Sequence, residues 1–178
     1  YNGAEAPSVL DVSASRDQLV VVNGVAKAYA MTGFRIGWTV APRSVSQAMT
    51  ALQSHTTSNA STPAQYATLA ALTRTAEADA AVAVMVAEFH ARRDAALAIL
   101  RAGIPGLELV EPQGAFYLFF KAPGGDGTAF ANQLLEHEGV AIVPGAAFGT
   151  PEWVRVSYAA ARTDVEAAMH GIVRLWTA

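Results

Sequence analysis

The feature that most constrains the fold is a continuous helical pattern from Glu77 to Ala102, about twice the length of an ordinary globular helix. Val82, Met85, Phe89, Ala96, Leu97 and Leu100 recur along one side of it. Arginines fall late in the run, where the helix dipole favours cations, and Gly103 with the Ile104-Pro105-Gly106 turn closes it. A helix this long is a seam. The residues before it and after it have different patterns and call for different architectures.

Before the seam, residues 1–18 are polar and turn-rich, with room for one short helical turn. Leu19–Val22 is an apolar, β-branched run of the kind that makes a buried strand, and Phe34–Val40 reads as a second strand. Ser44 with Gln47 fits a capping box opening a helix whose one face carries Val45, Ala48, Met49 and Leu52. Ser54–Ser61 reads as a hydroxyl-rich loop, and Thr62 with Gln65 as a second capping box for the helix Pro63–Thr73. This is the tail of an α/β unit, with too few strands for a doubly wound sheet.

After the seam, Leu107–Val110 and Ala115–Phe120 read as strands, and Asp126 as the cap of a helix over Thr128–Glu138. Val140–Val143 is a short strand, Pro144–Gly149 a loop, and Trp153–Tyr158 a strand. Thr163 with Glu166 suggests a last capping box, for a helix running to about Trp176. The expected fold class is α/β, ending in an α+β module, with domains at 1–75 and 76–178.

Composition narrows the function. With 52% hydrophobic and 15% charged residues, the chain can bury a core. A net charge of −3 and the lack of a recurring basic patch argue against nucleic acid. There is no cysteine, so disulfides and thiolate metal sites are excluded. No apolar run approaches the roughly 18 residues of a membrane helix. A cytoplasmic protein is the default expectation. Tyr1 opens directly in loop-like sequence without a methionine, as the middle of a protein would.

Within Asn23–Trp38 (NGVAKAYAMTGFRIGW) stand one lysine, Lys27, and one arginine, Arg35, eight residues apart. Small and apolar neighbours around Lys27 would desolvate its ammonium, favouring the neutral, nucleophilic amine. Three glycines would let backbone approach a ligand. The plainer alternative is a solvated loop lysine. Arg35, read as lying in the strand, suits a phosphate or a carboxylate, or a structural ion pair. Arg155 lies in Trp153-Val154-Arg155-Val156-Ser157-Tyr158, where alternation puts Trp153, Arg155 and Ser157 on one face. It too could clasp a carboxylate or form an ion pair. The four histidines have no metal-ligand spacing, and no serine sits in a nucleophile-elbow pattern.

Gly24-Val25-Ala26-Lys27 through Phe34-Arg35-Ile36-Gly37 resembles the cofactor-lysine signature of class I/II aminotransferases, fold-type-I enzymes dependent on pyridoxal 5'-phosphate. Later landmarks agree in order: Thr57-Ser58-Asn59, Gln65-Tyr66-Ala67, Gly114-Ala115-Phe116-Tyr117, Val143-Pro144-Gly145 with Phe148-Gly149, and Arg155-Val156-Ser157-Tyr158-Ala159. The resemblance spans essentially the whole chain, and its wording is nearest the bacterial aspartate aminotransferase branch.

The resemblance implies a C-terminal part of that fold: the end of the large domain's sheet, then a small α+β domain. It implies that Lys27 bonds the cofactor's aldehyde and later moves a proton. It further implies that Arg35 binds the phosphate and Arg155 the substrate α-carboxylate. Substrates would be an amino acid and a 2-oxo acid, the assembly a homodimer, and Thr57–Asn59 would approach the partner's site. The alternatives are a carbon–sulfur lyase on the same fold and a non-catalytic fragment.

Two departures stand out. Some relatives carry a serine just before the lysine or three before it, where this chain has Ala26 and Gly24. The glycine-rich phosphate turn, the ring-stacking aromatic, the asparagine and the pyridine aspartate have no counterpart. The expectation is therefore a C-terminal portion of an enzyme of roughly double length, inactive on its own.

Overall fold

The structure, a computed structural model, describes Asn2, Gly3 and residues 6–178. Tyr1, read above as an opening in mid-protein, lies outside the described residues. The chain divides into two compact units, Glu5–Val84 and Met85–Ala178 with the first residues of the chain.

In the first unit, a single helical turn, α1 (Val9–Val12), is capped by Ser8, whose Oγ accepts from the Leu10 N–H at 3.1 Å. Strands β1 (Val21–Gly24) and β2 (Gly37–Val40) pair antiparallel, with Val21 opposite Val40 and Gly24 opposite Gly37. Two helices follow, α2 (Arg43–Thr56) and α3 (Thr62–Thr73), and then α4 (Thr75–Gly103), which continues into the second unit.

Several expectations shift here. The strand expected over Phe34–Val40 starts only at Gly37, because Thr32–Phe34 form a 3-10 turn and Arg35 takes a left-handed backbone at φ 55°. The strand expected at Leu19–Val22 lies two residues later and is not buried: Val22 is 77% exposed. The boxes at Ser44 and Thr62 do not form. The N-caps are instead Pro42, two residues before Ser44, and Ser61, one before Thr62, with no side-chain cap, and Gln65 Nε2 donates to the Ala60 carbonyl at 2.7 Å. Nor does a loop begin at Ser54. Ser54 Oγ donates to the Ala51 carbonyl at 2.7 Å and Thr56 Oγ1 to that of Leu52 at 3.2 Å, so these hydroxyls are satisfied inside α2.

The second unit is a two-layer α+β fold. Strands β3 (Leu109–Val110), β4 (Tyr117–Lys121), β5 (Val143–Pro144) and β6 (Trp153–Ser157) form an antiparallel sheet in the order β3-β4-β6-β5. Leu118, Phe120, Val154 and Val156 point from one face into a core shared with Leu97 and Leu100 of α4. Phe130 and Leu134 of α5 (Gly127–Glu138) and Met169 and Ile172 of α6 (Arg162–Thr177) complete it. Tyr158 is fully buried just past β6, its hydroxyl donating to the Ala115 carbonyl at 3.2 Å.

Asp126 caps α5 as expected, accepting from the Thr128 and Ala129 N–H groups at 3.1 and 2.9 Å. The strand expected at Val140–Val143 is confined to Val143–Pro144, and Gly145–Phe148 is a 3-10 turn rather than open loop. A Cβ on Gly145 would lie 2.1 Å from the Thr150 carbonyl oxygen, so the turn closes only around a glycine. The last helix starts at Arg162 without a side-chain cap, and Glu166 accepts from Arg162 Nε at 2.8 Å instead of reaching back.

Candidate active site

Lys27 and Arg35 belong to one connection, residues 25–36, which leaves β1 and returns as its antiparallel partner β2. Because Gly24 pairs with Gly37, the two ends of that connection are adjacent, and the lysine and the arginine are carried at the same end of the strand pair. Val25, fully buried, anchors the start. A turn follows, closed by the Tyr29 N–H donating to the Val25 carbonyl at 3.3 Å and the Ala30 N–H to that of Lys27 at 3.1 Å.

Lys27 rides on this turn and is exposed. The expectation that neighbouring apolar residues desolvate its amine is therefore not met within this chain: Val25 turns inward and leaves the lysine at the surface. Ala30 and Arg35 both have positive φ, 53° and 55°, so the connection holds two residues in a backbone region that side chains disfavour. Such strain collects where a geometry is imposed for function.

Arg35 is exposed, and its one hydrogen bond among the described residues runs from Nη1 to the Thr32 carbonyl at 3.1 Å. Most of its donor fork remains available to an anion. Of the three glycines, only Gly33 leaves open space, with no heavy atom within 4 Å of an added Cβ. Gly24 and Gly37 serve the strand crossing itself. A Cβ at Gly24 would sit 2.8 Å from the Ile36 carbonyl oxygen, and one at Gly37 would sit 3.0 Å from that of Asn23.

Farther along the same unit, Thr57 ends α2, Ser58 takes a positive φ of 61°, and Asn59 Nδ2 donates to the Ala60 carbonyl at 2.7 Å. A cleft of about 620 Å³, lined in part by Trp38, Gln53, Ser58, Asn59 and Thr68, opens here. Thr68 Oγ1 is buried in it without a hydrogen-bond partner among the described residues.

Arg155 lies in the second unit, on the sheet face opposite the core, as the alternation predicted. Its guanidinium carbon is 4.4 Å from the ring centroid of Tyr117 and 4.4 Å from that of Phe148. Phe148 packs edge-on against Phe119 at 6.4 Å, and Phe119 stacks on Trp153 at 5.2 Å. No carboxylate or carbonyl among the described residues bonds this arginine, so the structural ion pair that the strand pattern allowed is not formed. Sequence reasoning missed the two rings. The signal was available for Tyr117, since alternation puts it on the same face of the sheet as Arg155; Phe148 comes from a turn with no periodicity to read.

The profile of the family described as aminotransferase class I and II matches residues 1–172. The chain belongs to this family. It is 42% identical to an aspartate aminotransferase of Thermotoga maritima over 171 residues, covering 96% of this chain and 42% of that one. It is 40% identical to an aspartate aminotransferase of Geobacillus stearothermophilus over 186 residues, covering 100% of this chain and 46% of the relative. The crystal structure of the Thermotoga maritima aspartate aminotransferase superposes with a TM-score of 0.87 at 41% identity, covering 98% of this chain and 44% of that chain. An aromatic aminotransferase from Pyrococcus horikoshii superposes at 0.91 with 33% identity, covering 99% and 48%.

The fold-type-I architecture is thus established, and the chain corresponds to the C-terminal part of these enzymes, spanning less than half of their length. These relatives are named as aminotransferases. Family members use pyridoxal 5'-phosphate. The residues present suit that group: an exposed primary amine, an exposed guanidinium with an uncommitted fork, and open space at Gly33 on one strand connection. Among the described residues no helix is long and apolar enough to cross a membrane, and no acidic or histidine cluster could hold a metal.

Proposed function

We propose that this chain supplies the cofactor lysine, the phosphate arginine and the substrate arginine of an aminotransferase that moves an amino group from aspartate or a similar amino acid to a 2-oxo acid. The observation that carries the reading is that Lys27 and Arg35 share one strained strand connection in a chain 42% identical to an aspartate aminotransferase. In this reading residues 1–75 are the closing segment of the large cofactor-binding domain. Residues 76–178 are the linking helix and the small domain.

Lys27 would hold the cofactor through its amine and would serve as the base that takes the proton from the substrate Cα. Arg35 would hold the phosphate with its free donors. Arg155 would grip the substrate α-carboxylate, its charge uncompensated by any acidic side chain among the described residues. Pyridoxal phosphate, when bound, supplies the electron sink that makes the Cα proton acidic. A homodimer in the cytoplasm is part of the proposal, with Thr57–Asn59 reaching toward the partner's site. The cleft beside that loop, with the orphaned Thr68 hydroxyl in it, supports a covered rather than a solvated surface there.

The test uses the fact that the chain has only two lysines, Lys27 and Lys121. Borohydride treatment after incubation with pyridoxal phosphate, followed by peptide mass spectrometry, is expected to place the label on Lys27. Equal labelling of Lys121, whose amine is already engaged by Glu108 at 3.2 Å, would sink the assignment.

A further inference from the structure

Among the described residues, Arg155 is held by rings and by nothing else that bonds it, and this determines how it can present its charge. A guanidinium is a plate: its two faces are apolar in character, and all five N–H donors lie in its plane. The ring centroids of Tyr117 and Phe148 each lie 4.4 Å from the central carbon, so two π surfaces pack against the guanidinium. An anion is bonded by the in-plane N–H edge. Both rings are themselves braced, Tyr117 against Phe116 at 4.6 Å and Phe148 against Phe119 at 6.4 Å. Backbone geometry fixes the register as well, since Arg155 pairs with Phe119 on one side and Val143 on the other.

We infer that Tyr117 and Phe148 are positioning residues that hold the Arg155 guanidinium so that its edge meets a planar carboxylate. This rests on the reading of Arg155 as a carboxylate clamp. The phenol hydroxyl has no part in it; the ring does. A loose arginine must be ordered each time a carboxylate binds, and clamping it beforehand removes that entropy cost. Phe148 is 46% exposed and packs against a half-buried cation.

The test is side-chain NMR on the full 178-residue chain labelled with 15N-arginine, with succinate as the probe. The Arg155 Nε–H signal, identified by its loss in Arg155→Met, is expected to be shifted upfield by the two ring currents and to move on adding succinate. Tyr117→Leu and Phe148→Leu should each return the signal toward that of a free arginine and weaken succinate binding by roughly fivefold, the scale of one cation–π contact. Tyr117→Phe should keep both the shift and the affinity, which separates ring from hydroxyl and from loss of folding. Unchanged affinity in both leucine variants, with binding lost in Arg155→Met, would overturn the inference alone. Unchanged binding in Arg155→Met would overturn the carboxylate reading beneath it.

Discussion

The two units of this chain bury very different amounts of themselves. In Met85–Ala178, both faces of the secondary structure are resolved into a core side and a solvent side, and Leu100, Leu118, Phe120, Leu134 and Met169 are fully buried. In Glu5–Val84, the buried residues among those described are Val25, Ala64 and Thr68. Helix α2 has a clear apolar stripe, yet Met49 is 43% and Leu52 67% exposed, and Val22 stands open on β1. Nothing among the described residues covers those faces. One unit is stabilised by its own packing; the other presents chemistry on a framework whose apolar surfaces are still available. Lys27 and Arg35 sit on the second kind of surface and Arg155 on the first.

That contrast can be broken or sharpened by mutation. The largest effect expected is on activity, in the thinly packed unit. In a full-length enzyme carrying this segment, Lys27→Ala should lower kcat in a transamination assay by about 10²–10⁴-fold, the range for a lost proton-transfer group, while leaving the melting temperature of the 178-residue chain unchanged because Lys27 is exposed. A coupled loss of stability would mean that the lysine is structural.

Next comes stability, in the packed unit. Phe120→Ala should cost about 3–5 kcal/mol in chemical denaturation, whereas Leu52→Ala should stay within about 0.5 kcal/mol. Comparable losses would show that α2 is buried in solution and erase the distinction.

Arg35→Gly tests the strained connection. Relief of the left-handed backbone should leave stability unchanged or raise it by about 1 kcal/mol, while affinity for pyridoxal phosphate falls, as read by absorbance titration. A variant that melts earlier would show that the arginine holds the connection together.

The smallest effect expected is electrostatic. Arg174 hydrogen-bonds Glu138 and holds its carboxyl below the ordinary value of 4.5. A depressed carboxyl contributes stability that is present above its unfolded value and is lost as pH falls through the folded one. Arg174→Met should therefore lower stability slightly at neutral pH, with the difference from the parent chain fading as pH falls below 4.5.

Much of this arrangement was legible in the sequence, for reasons particular residues make plain. Strand β6 announced its two faces by alternation, and Asp126 sat where a cap must be. The spacing of Lys27 and Arg35 within a glycine-marked stretch pointed to one site. What could not be read was backbone sign and tertiary cover. Arg35 looked like a strand residue because apolar neighbours flank it, and a positive φ leaves no trace in hydropathy. Three capping boxes, at Ser44, Thr62 and Thr163, matched in letters yet formed none of their bonds, since each helix is capped one or two residues earlier, at Pro42, Ser61 and Ala161. The dryness expected around Lys27 followed from its neighbours' chemistry, but Val25 alone turned inward.

The crossing of β1 and β2 also bears on how this site could be altered. If Arg35 grips the cofactor phosphate as proposed, a hydroxyl to assist it could be sought at Gly24 or at Ala26, but the two positions are not equivalent. At Gly24 any side chain begins 2.8 Å from the Ile36 carbonyl oxygen and 3.2 Å from the Gly37 Cα, so a serine there would push the strands apart and displace the very arginine it was meant to assist. At Ala26 a Cβ already exists, so a serine there adds one oxygen without placing a new Cβ at the crossing. Redesign of the phosphate grip has an open door on one side of the lysine and a wall two residues away.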